Sequence, residues 1–206
     1  MDRSALNTVD LSATNEMIER MSQTTILCIR HGESTFNAAW AASPSDPMHW
    51  DARLSARGRE QVRQARTALA EHPVEVVLVS PLTRAIETAL GLFEDHPAAP
   101  AMEVVPLLRE RVENSCDVGR APAELASEFA RLSFTHVPDV WWHAEGQPDA
   151  RGICVEPDAL VQARVESFRR SLQTRPERTI AVVGHGTFLR YLTGKSLANC
   201  EVARLG

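Results

Sequence analysis

The chain has 206 residues, of which 44% are hydrophobic and 24% are charged, and its formal net charge is -5. This composition is typical of a single folded domain and excludes disorder as the overall state of the chain. Because the net charge is negative and no apolar run approaches the roughly 20 residues of a membrane span, we expect neither nucleic acid nor a membrane as a partner.

The beginning of the chain differs from the rest. Residues 1–23 are polar and show no sustained hydrophobic period, so we predict a loosely attached extension there and one folded domain over residues 24–206. The N-terminal residues also lack the apolar core of a signal peptide, and none of the four cysteines forms a Cys-x-x-Cys pair. We therefore expect reduced thiols, no zinc site and a cytoplasmic location.

The first strong element is a strand. Residues 24–29 form a short apolar run rich in strand-forming side chains, which is typical of a strand buried on both faces. This run stops at Arg30-His31-Gly32. Residues 37–53 contain two prolines and two tryptophans among polar residues, and we predict that they form a loop that shapes a pocket.

The next segment alternates helices and strands. Apolar residues recur at helical spacing over residues 55–72, where a serine is a candidate N-cap and a proline follows the end. A buried-strand pattern follows over residues 74–79, and a second helical stripe covers residues 86–93. We predict a third strand over residues 102–107.

The remainder of the chain continues this alternation. The predicted elements are a short helix over 122–132, an irregular segment over 136–154, a helix over 159–174, a strand over 179–183, a short helix over 188–193, and a tail over 197–202 that can add an edge strand. Alternating strands and helices predict an α/β fold. We expect a single three-layer domain with a mainly parallel central sheet and helices on both faces.

Two histidines occupy equivalent predicted positions at the ends of strands. His31 directly follows the first buried strand, His185 directly follows the last, and each has a glycine beside it. Ligands bind at the carboxyl ends of the strands in an open α/β sheet, so we expect both histidines to face one crevice. The segment from Ser80 to Arg84 follows the second strand and places a cation near the same edge.

These residue types suit phosphoryl transfer. A phosphoryl ester requires cations for its nonbridging oxygens, an in-line nucleophile, and an acid that protonates the departing alkoxide. Arg30 and Arg84 are candidates for the cations, and a neutral imidazole at His31 is the candidate nucleophile. Glu110, which follows the third predicted strand, is the candidate acid.

Several short segments also match a known family in the order in which they occur. They are Ile29 to Ser34 with Asn37, Leu54 to Gly58 with Gln61, Ser80 to Ala85 with Glu87 and Thr88, Leu108 to Glu110, and Val183 to Gly186. On these motifs the chain resembles the histidine phosphatase superfamily, in the branch that includes cofactor-dependent phosphoglycerate mutases. The resemblance covers nearly the whole predicted domain and implies a phosphoglycerate mutase-like fold.

The resemblance implies a phosphohistidine mechanism that needs no metal and no other cofactor. His31 attacks phosphorus while Glu110 protonates the leaving oxygen, and water then attacks phospho-His31 with Glu110 acting as the base. The implied catalytic residues are His31, Glu110, His185, Arg30 and Arg84. The implied substrate-binding residues are Arg30, Asn37, Arg84, His185 and Gly186.

The identity of the acid stays open at this point. The acid-phosphatase and phytase branch of the superfamily typically has an aspartate directly after its second histidine, whereas this chain has Gly186 after His185. This difference favours Glu110 as the proton donor. Glu103 and Glu113 are close enough in sequence to remain alternatives.

Three functions are compatible with these residues. The first is a phosphomonoesterase that hydrolyses a small phosphorylated metabolite, and the second is phosphoryl transfer of the phosphoglycerate mutase type. A mutase needs further cations for a second anion, and Arg111, Arg120 and Arg151 keep that alternative open. The third and weakest is a catalytically poor phosphate-binding module. The physiological substrate and the oligomeric state have no signature in the sequence.

Two further groups of residues have competing interpretations. We interpret Leu54, Gly58 and Gln61 as packing and capping residues of the helix predicted over residues 55–72 rather than as active-site groups. The four tryptophans lie in the irregular segments, where they either line the substrate entrance or cap the core.

Overall fold

A five-stranded sheet forms the centre of the computed structural model, which describes residues 24–206; the predicted extension over residues 1–23 lies outside the described residues. The strands are β1 (Thr25–Arg30), β2 (Val76–Val79), β3 (Ala101–Val104), β4 (Thr179–Gly184) and β5 (Val202–Arg204). They lie in the order β3-β2-β4-β1-β5. Neighbouring strands are parallel except that β5 runs antiparallel to β1 at one edge.

The strands are connected mainly by helices. The α-helices of the described residues are α1 (Thr35–Ala42), α2 (Ala56–Leu69), α3 (Thr83–Phe93), α4 (Pro122–Glu128), α5 (Asp158–Gln173) and α6 (Gly186–Thr193). Short 3₁₀ turns cover Pro106–Leu108 and Ser115–Asp117. Within residues 24–206, no helix combines the length and the apolar character that crossing a bilayer requires.

The sheet buries side chains on both of its faces. Ile29 of β1 belongs to a core shared with α2 and α3, whereas the adjacent Cys28 belongs to a second core shared with α5 and α6. Every residue of β2 and β4 is buried, which explains why their sequences are continuous apolar runs without alternation. The α/β prediction is therefore confirmed, with a mainly parallel sheet between two helical layers.

The prediction of a loop over residues 37–53 is wrong in its first part, because α1 extends to Ala42. Ser34 Oγ accepts a hydrogen bond from the Asn37 N–H at 3.1 Å, and Asn37 Oδ1 accepts one from the Ser34 N–H at 3.1 Å. This capping box satisfies N–H groups that the start of a helix otherwise leaves unpaired. The alanines that follow favour helix, so only residues 43–53 form the loop.

The third strand is shorter than the predicted range of 102–107. It ends at Val104, and Pro106 begins a 3₁₀ turn two residues later. A proline has no N–H to donate to a sheet ladder and has a fixed φ, so the chain turns away from the sheet here. This turn leads the chain towards Glu110.

The predicted ends of other elements also shift. The helix predicted over 55–72 ends at Leu69, and the strand predicted over 74–79 begins at Val76. The helix predicted over 122–132 ends at Glu128, and the helix predicted over 188–193 already begins at Gly186. The edge strand lies at Val202–Arg204 instead of within 197–202. Residues 197–200 form no strand and instead make hydrogen bonds to Arg30 at the end of β1. The Leu197 carbonyl accepts from Arg30 Nη1 at 2.8 Å, and the Cys200 N–H donates to the Arg30 carbonyl at 3.0 Å.

The start of α2 supports the turn that follows β1. A Cβ on Gly58 would lie 2.0 Å from the Glu33 carbonyl oxygen, so only glycine permits this close packing. Gln61 Oε1 accepts a hydrogen bond from the Glu33 N–H at 2.8 Å, and Leu54 is buried in the core. The interpretation of these three residues as packing and capping groups is consistent with these contacts.

Candidate active site

The carboxyl ends of β1, β2 and β4 bring the predicted residues to one place. The His31 N–H donates to the Gly184 carbonyl at 3.0 Å, so His31 and His185 leave neighbouring parallel strands side by side. The Ser80 N–H donates to the Val183 carbonyl at 3.1 Å. This bond brings the start of α3, and with it Arg84, to the same edge of the sheet.

Hydrogen bonds fix the protonation pattern of the His31 ring. Nδ1 lies 2.7 Å from the Gly32 carbonyl oxygen, and Nε2 lies 3.2 Å from Arg84 Nε. A carbonyl only accepts and a guanidinium only donates, so Nδ1 carries the proton and Nε2 presents its lone pair. The side chain is almost fully buried. His31 is therefore held as a neutral imidazole whose Nε2 lone pair accepts the hydrogen bond from Arg84.

His185 and Arg30 contribute nitrogen atoms that have no hydrogen-bond partner. The rings of His31 and His185 have centroids 5.1 Å apart, and His185 Nε2 lies 2.7 Å from Ser80 Oγ. His185 Nδ1 and Arg30 Nε are both buried and are unpaired within residues 24–206. Unpaired buried nitrogen atoms are rare in proteins. The oxygens of a phosphoryl group are acceptors that would satisfy the Arg30 N–H, and they would satisfy His185 Nδ1 in the tautomer in which Ser80 Oγ donates to Nε2 and Nδ1 carries the proton.

Arg84 is buried and bonds through all of its nitrogen atoms. Besides the bond from Nε to His31, Nη2 donates to Asp117 Oδ1 at 2.9 Å and Nη1 donates to the Cys116 carbonyl. The Asp117 side chain is also buried, with 6% of its surface exposed. Arg84 and Asp117 therefore form a buried ion pair whose guanidinium contacts the Nε2 side of the His31 ring.

Glu110 lies at the N-terminus of α6. Its carboxylate accepts hydrogen bonds from the N–H groups of Thr187 at 2.9 Å and Phe188 at 3.1 Å, just after His185 and Gly186. The alternative acids face solvent, since the side chains of Glu103 and Glu113 are 46% and 56% exposed. Of these three acids, only Glu110 is held beside the second histidine.

Burial and neighbouring cations act together on the two histidines. Burial lowers the pKa of His31 well below its ordinary value of 6.5, and the positive charges of Arg84 and Arg30 lower it further. Burial and the charge of Arg84 lower the pKa of His185 in the same way. Both effects disfavour the charged imidazolium, so both rings are neutral in mildly acidic and neutral solution.

The pKa values of the partly buried Glu110 and the buried Asp117 shift in the opposite direction. Burial raises the pKa of Glu110, and the negative charge of Asp117 raises it further. Burial also raises the pKa of Asp117, against the opposing effect of Arg84. At Glu110, the raised pKa favours the protonated form, which is the form that donates a proton.

Comparison with known proteins identifies the family. The sequence model of the histidine phosphatase superfamily (branch 1) matches residues 26–205. The chain belongs to this superfamily. A phosphoglycerate mutase-like protein of Arabidopsis thaliana is 29% identical over 85% of this chain and 76% of its own, and a probable phosphatase of Schizosaccharomyces pombe is 28% identical over 81% and 76%. The solved phosphoglycerate mutase of Bacillus anthracis shares the fold, with a TM-score of 0.58 at 20% identity over 88% of this chain and 86% of that one.

Two predicted substrate ligands of this histidine phosphatase occupy defined positions. Gly186 begins α6, and a Cβ there would lie 3.5 Å from Arg30 Nε, so the glycine leaves the Arg30 side chain open. Asn37 lies inside α1, where its side-chain oxygen belongs to the capping box with Ser34. Its role as a phosphoryl ligand stays a prediction.

Several residues that support the site of this histidine phosphatase were not predicted from the sequence. Asp117 pairs with Arg84, and Asn199 Nδ2 donates to the His31 carbonyl at 2.8 Å. Neither lies at a predicted strand end or in one of the family motifs, so no local signal marks it. Thr88, whose Oγ1 accepts from the Gly32 N–H at 3.1 Å, does lie in a family motif. Among residues 24–206, no group of three or more His, Cys, Asp or Glu residues is arranged to hold a metal ion.

The tryptophans divide between the two interpretations. Trp141 is buried in the core and its Nε1 donates to the Arg120 carbonyl at 2.9 Å, so it caps the core. Trp40 and Trp50 are 41% and 47% exposed. Trp50 also lines a groove of about 310 Å³ together with Asp51 and Arg120. The exposed pair is therefore available to contact a ligand.

Proposed function

We propose that this histidine phosphatase hydrolyses a small phosphorylated metabolite through a phosphohistidine intermediate on His31. The observation that carries the proposal is the orientation of the His31 ring. Its proton is bonded to Gly32, and its Nε2 lone pair faces the buried guanidinium of Arg84 at 3.2 Å. An imidazole nucleophile must be neutral and fixed in orientation, and both conditions are met here.

The proposed reaction has two steps. In the first, His31 Nε2 attacks phosphorus, the bond from phosphorus to the leaving oxygen breaks, and Glu110 gives its proton to that oxygen. In the second, water attacks the phosphohistidine, the phosphorus–nitrogen bond breaks, and Glu110 accepts a proton from the water. Inorganic phosphate then leaves, and the neutral His31 is restored.

The remaining residues of the proposed site stabilise the transferring group. Arg30 and Arg84 supply positive charge, and the unpaired Nδ1 of His185 is available to a nonbridging oxygen. These groups are fixed before the substrate arrives, so they need little reorganisation when charge develops on the phosphoryl oxygens. Asn37 and the Gly186 backbone are the further proposed ligands.

The ion pairs of three arginines favour hydrolysis over mutase-type transfer. Arg111, Arg120 and Arg151 are the candidate ligands for a second anion, and each already has acidic partners. Arg111 pairs with Asp158 at 3.3 Å; Arg120 pairs with Asp51 and Glu128, and Arg151 pairs with Asp46 and Asp149. A second anion would have to displace these carboxylates. The relative named a probable phosphatase also supports hydrolysis.

The cellular setting is part of the same proposal. The four cysteines are free thiols, which supports a reducing, cytoplasmic compartment. The assembled catalytic groups support an enzyme over a passive phosphate-binding module, because binding alone requires no acid beside the second histidine.

Rapid quenching of the reaction with ³²P-labelled 4-nitrophenyl phosphate tests the intermediate. We expect label on the protein within the first turnover, stable in alkali and lost in acid, as a phosphorus–nitrogen bond requires. Peptide mapping of the alkali-stable label should identify His31. Turnover without protein-bound label, measured at several quench times, would contradict the intermediate, and absence of turnover on sugar, glycerate and aryl phosphates would favour the binding module.

The pH dependence of the rate provides a second test. His31 must be neutral and Glu110 protonated in the first step. Because the pKa of His31 is lowered and that of Glu110 is raised, this combination extends over mildly acidic pH. We expect kcat/KM for glycerol 2-phosphate to fall as the pH rises and Glu110 loses its proton. The Glu110→Gln variant should lose that alkaline decrease together with about 10²-fold or more of the rate.

The substrate itself also titrates near pH 6, so wild type and variant must be compared on the same substrate. Substrate ionisation affects both proteins alike, and the difference between the two profiles reports Glu110. An alkaline decrease that survives unchanged in Glu110→Gln would assign the proton transfer to another group.

A further inference from the structure

Arg164 lies behind the proposed acid rather than in the phosphate pocket. It stands in α5 with only 5% of its side chain exposed. Its Nη1 donates to the carbonyl oxygens of Leu107 at 2.9 Å and Arg109 at 2.7 Å. Both carbonyls belong to the short segment that leads from the 3₁₀ turn into Glu110, so Arg164 fixes the backbone on the N-terminal side of the acid.

Glu156 fixes both Arg164 and the other side of the same segment. This carboxylate is fully buried, and its Oε2 accepts from Arg164 Nη2 at 2.8 Å. The Glu156 backbone N–H donates to the Val112 carbonyl at 2.8 Å, and the Glu156 carbonyl accepts from Arg111 Nε at 3.0 Å. The Arg164 side chain therefore holds the chain before Glu110, and the backbone of Glu156 holds it after Glu110.

Arg164 also contacts the helix that receives the Glu110 carboxylate. Its guanidinium carbon lies 5.3 Å from the centroid of the Phe188 ring, in cation–π geometry. The Phe188 N–H is one of the donors to Glu110, at 3.1 Å. One side chain thus touches both structures that orient the acid, namely its own backbone segment and the start of α6.

Stability alone gives little reason for an ion pair at this place. Replacing a buried ion pair with apolar side chains of similar volume is often neutral or stabilising, because desolvating two charges is costly. Proton transfer, in contrast, depends steeply on the position of the acid, and a displacement of about 1 Å can lower a rate about 10²-fold. The pair connects the α5 layer to the one acidic group that the reaction uses.

We propose that Arg164, oriented by Glu156, is a positioning residue that holds the Glu110 carboxyl in line with the leaving oxygen. This inference rests on the proposed role of Glu110 as the acid. Its signature is selectivity for the leaving group. An alkoxide needs the proton of the acid as it departs, whereas 4-nitrophenolate is a stabilised anion that leaves with little help.

The test compares Arg164→Met with wild type on two substrates, glycerol 2-phosphate and 4-nitrophenyl phosphate. We expect kcat/KM on glycerol 2-phosphate to fall about 10- to 10²-fold and kcat/KM on 4-nitrophenyl phosphate to fall less than about 3-fold. The comparison uses kcat/KM because this parameter reports the departure of the leaving group, whereas the later attack of water, which also uses Glu110, is the same for both substrates. Glu110→Gln should show the same selectivity more strongly. In the double variant on glycerol 2-phosphate, the Arg164 substitution should add little to the loss caused by Glu110→Gln, because both act on one proton transfer.

Arg169→Met is the matched control, because Arg169 lies on the same helix and bonds to the Leu192 carbonyl at 2.7 Å, near the other end of α6. The Arg169→Met variant should change kcat/KM on the two substrates by the same factor. Circular dichroism and urea unfolding would establish that each variant is folded. If Arg164→Met does not fold, Glu156→Gln replaces it, since the amide keeps the volume of the carboxylate while weakening its hold on Arg164. It also weakens the pair that Glu156 Oε1 forms with Arg109 Nη2 at 3.0 Å, on the segment that leads to Glu110.

The outcomes separate this inference from the proposed function. One outcome contradicts the inference: Glu110→Gln is selective for the leaving group, but folded Arg164→Met or Glu156→Gln lowers kcat/KM equally on both substrates. Arg164 is then structural and the inference is wrong. If Glu110→Gln itself shows no selectivity, the acid assignment fails and the inference fails with it. Selectivity in both variants, absent from Arg169→Met, supports the positioning role.

Discussion

Replacing His31 with alanine should lower kcat by at least about 10⁴-fold on every phosphomonoester that the wild-type protein hydrolyses. Substrate binding should survive better than turnover, because Arg30, Arg84 and His185 remain. The protein-bound label in the rapid-quench experiment should disappear at the same time. Steady-state kinetics and quench labelling on one preparation measure both effects.

Folding is the main concern in this experiment, since His31 is almost fully buried. His31→Asn is the second variant, because its side-chain amide can still donate to the Gly32 carbonyl while Nε2 is removed. His72→Ala, which removes an exposed imidazole at the opposite end of the sheet, is the control and should retain wild-type turnover. Turnover within about 10-fold of wild type in both folded His31 variants would rule out His31 as the nucleophile.

The central part of the site follows from local sequence patterns. His31 and His185 each come directly after a run of buried strand residues, and parallel strands place such positions at one edge of a sheet. Arg84 follows the next strand by the same rule. These positions were predictable because strand burial, strand direction and the neighbouring glycines are all visible over a few residues.

The supporting residues depend on contacts between distant parts of the chain. Asp117 reaches Arg84 only because the loop that follows β3 folds back over α3, and no local pattern describes that loop. Arg164 and Glu156 were equally hidden, since 21 of the 22 basic residues are arginines and charged residues are common throughout the chain. A pattern based on residue type therefore cannot separate a positioning arginine from one on the surface.

The start of α1 shows a different kind of error. Two tryptophans and two prolines in residues 37–53 indicated a loop, yet the serine and asparagine at positions 34 and 37 bond reciprocally and begin a helix. The usual partner at this position of a capping box is Glu or Gln. The asparagine side chain is one methylene shorter, yet here it accepts from the Ser34 N–H at 3.1 Å, and the alanines that follow allow the helix to continue.

Replacing Arg84 with methionine should lower both activity and stability. The variant loses a phosphoryl-binding cation, which should reduce kcat/KM by about 10³-fold or more. It also leaves the buried Asp117 carboxylate without its cation, which should lower the free energy of unfolding by about 3–5 kcal/mol. Burial raises the pKa of Asp117 above its value in the unfolded chain, so the folded variant favours the protonated acid. The loss of stability should therefore be larger at pH 8 than at pH 5, as measured by urea unfolding at both values.

The double variant Arg84→Met with Asp117→Asn separates the two effects. Removing both charges should recover most of the lost unfolding free energy, because no uncompensated charge remains, and it should abolish the difference between pH 5 and pH 8 that Asp117 causes. Activity should stay at the level of the single variant, since the cation is still absent. Arg66→Met, which breaks a surface pair with Asp95, is the control and should change stability by less than about 1 kcal/mol. If the double variant regains activity along with stability, the loss in Arg84→Met arises from misfolding, and Arg84 does not bind the phosphoryl group.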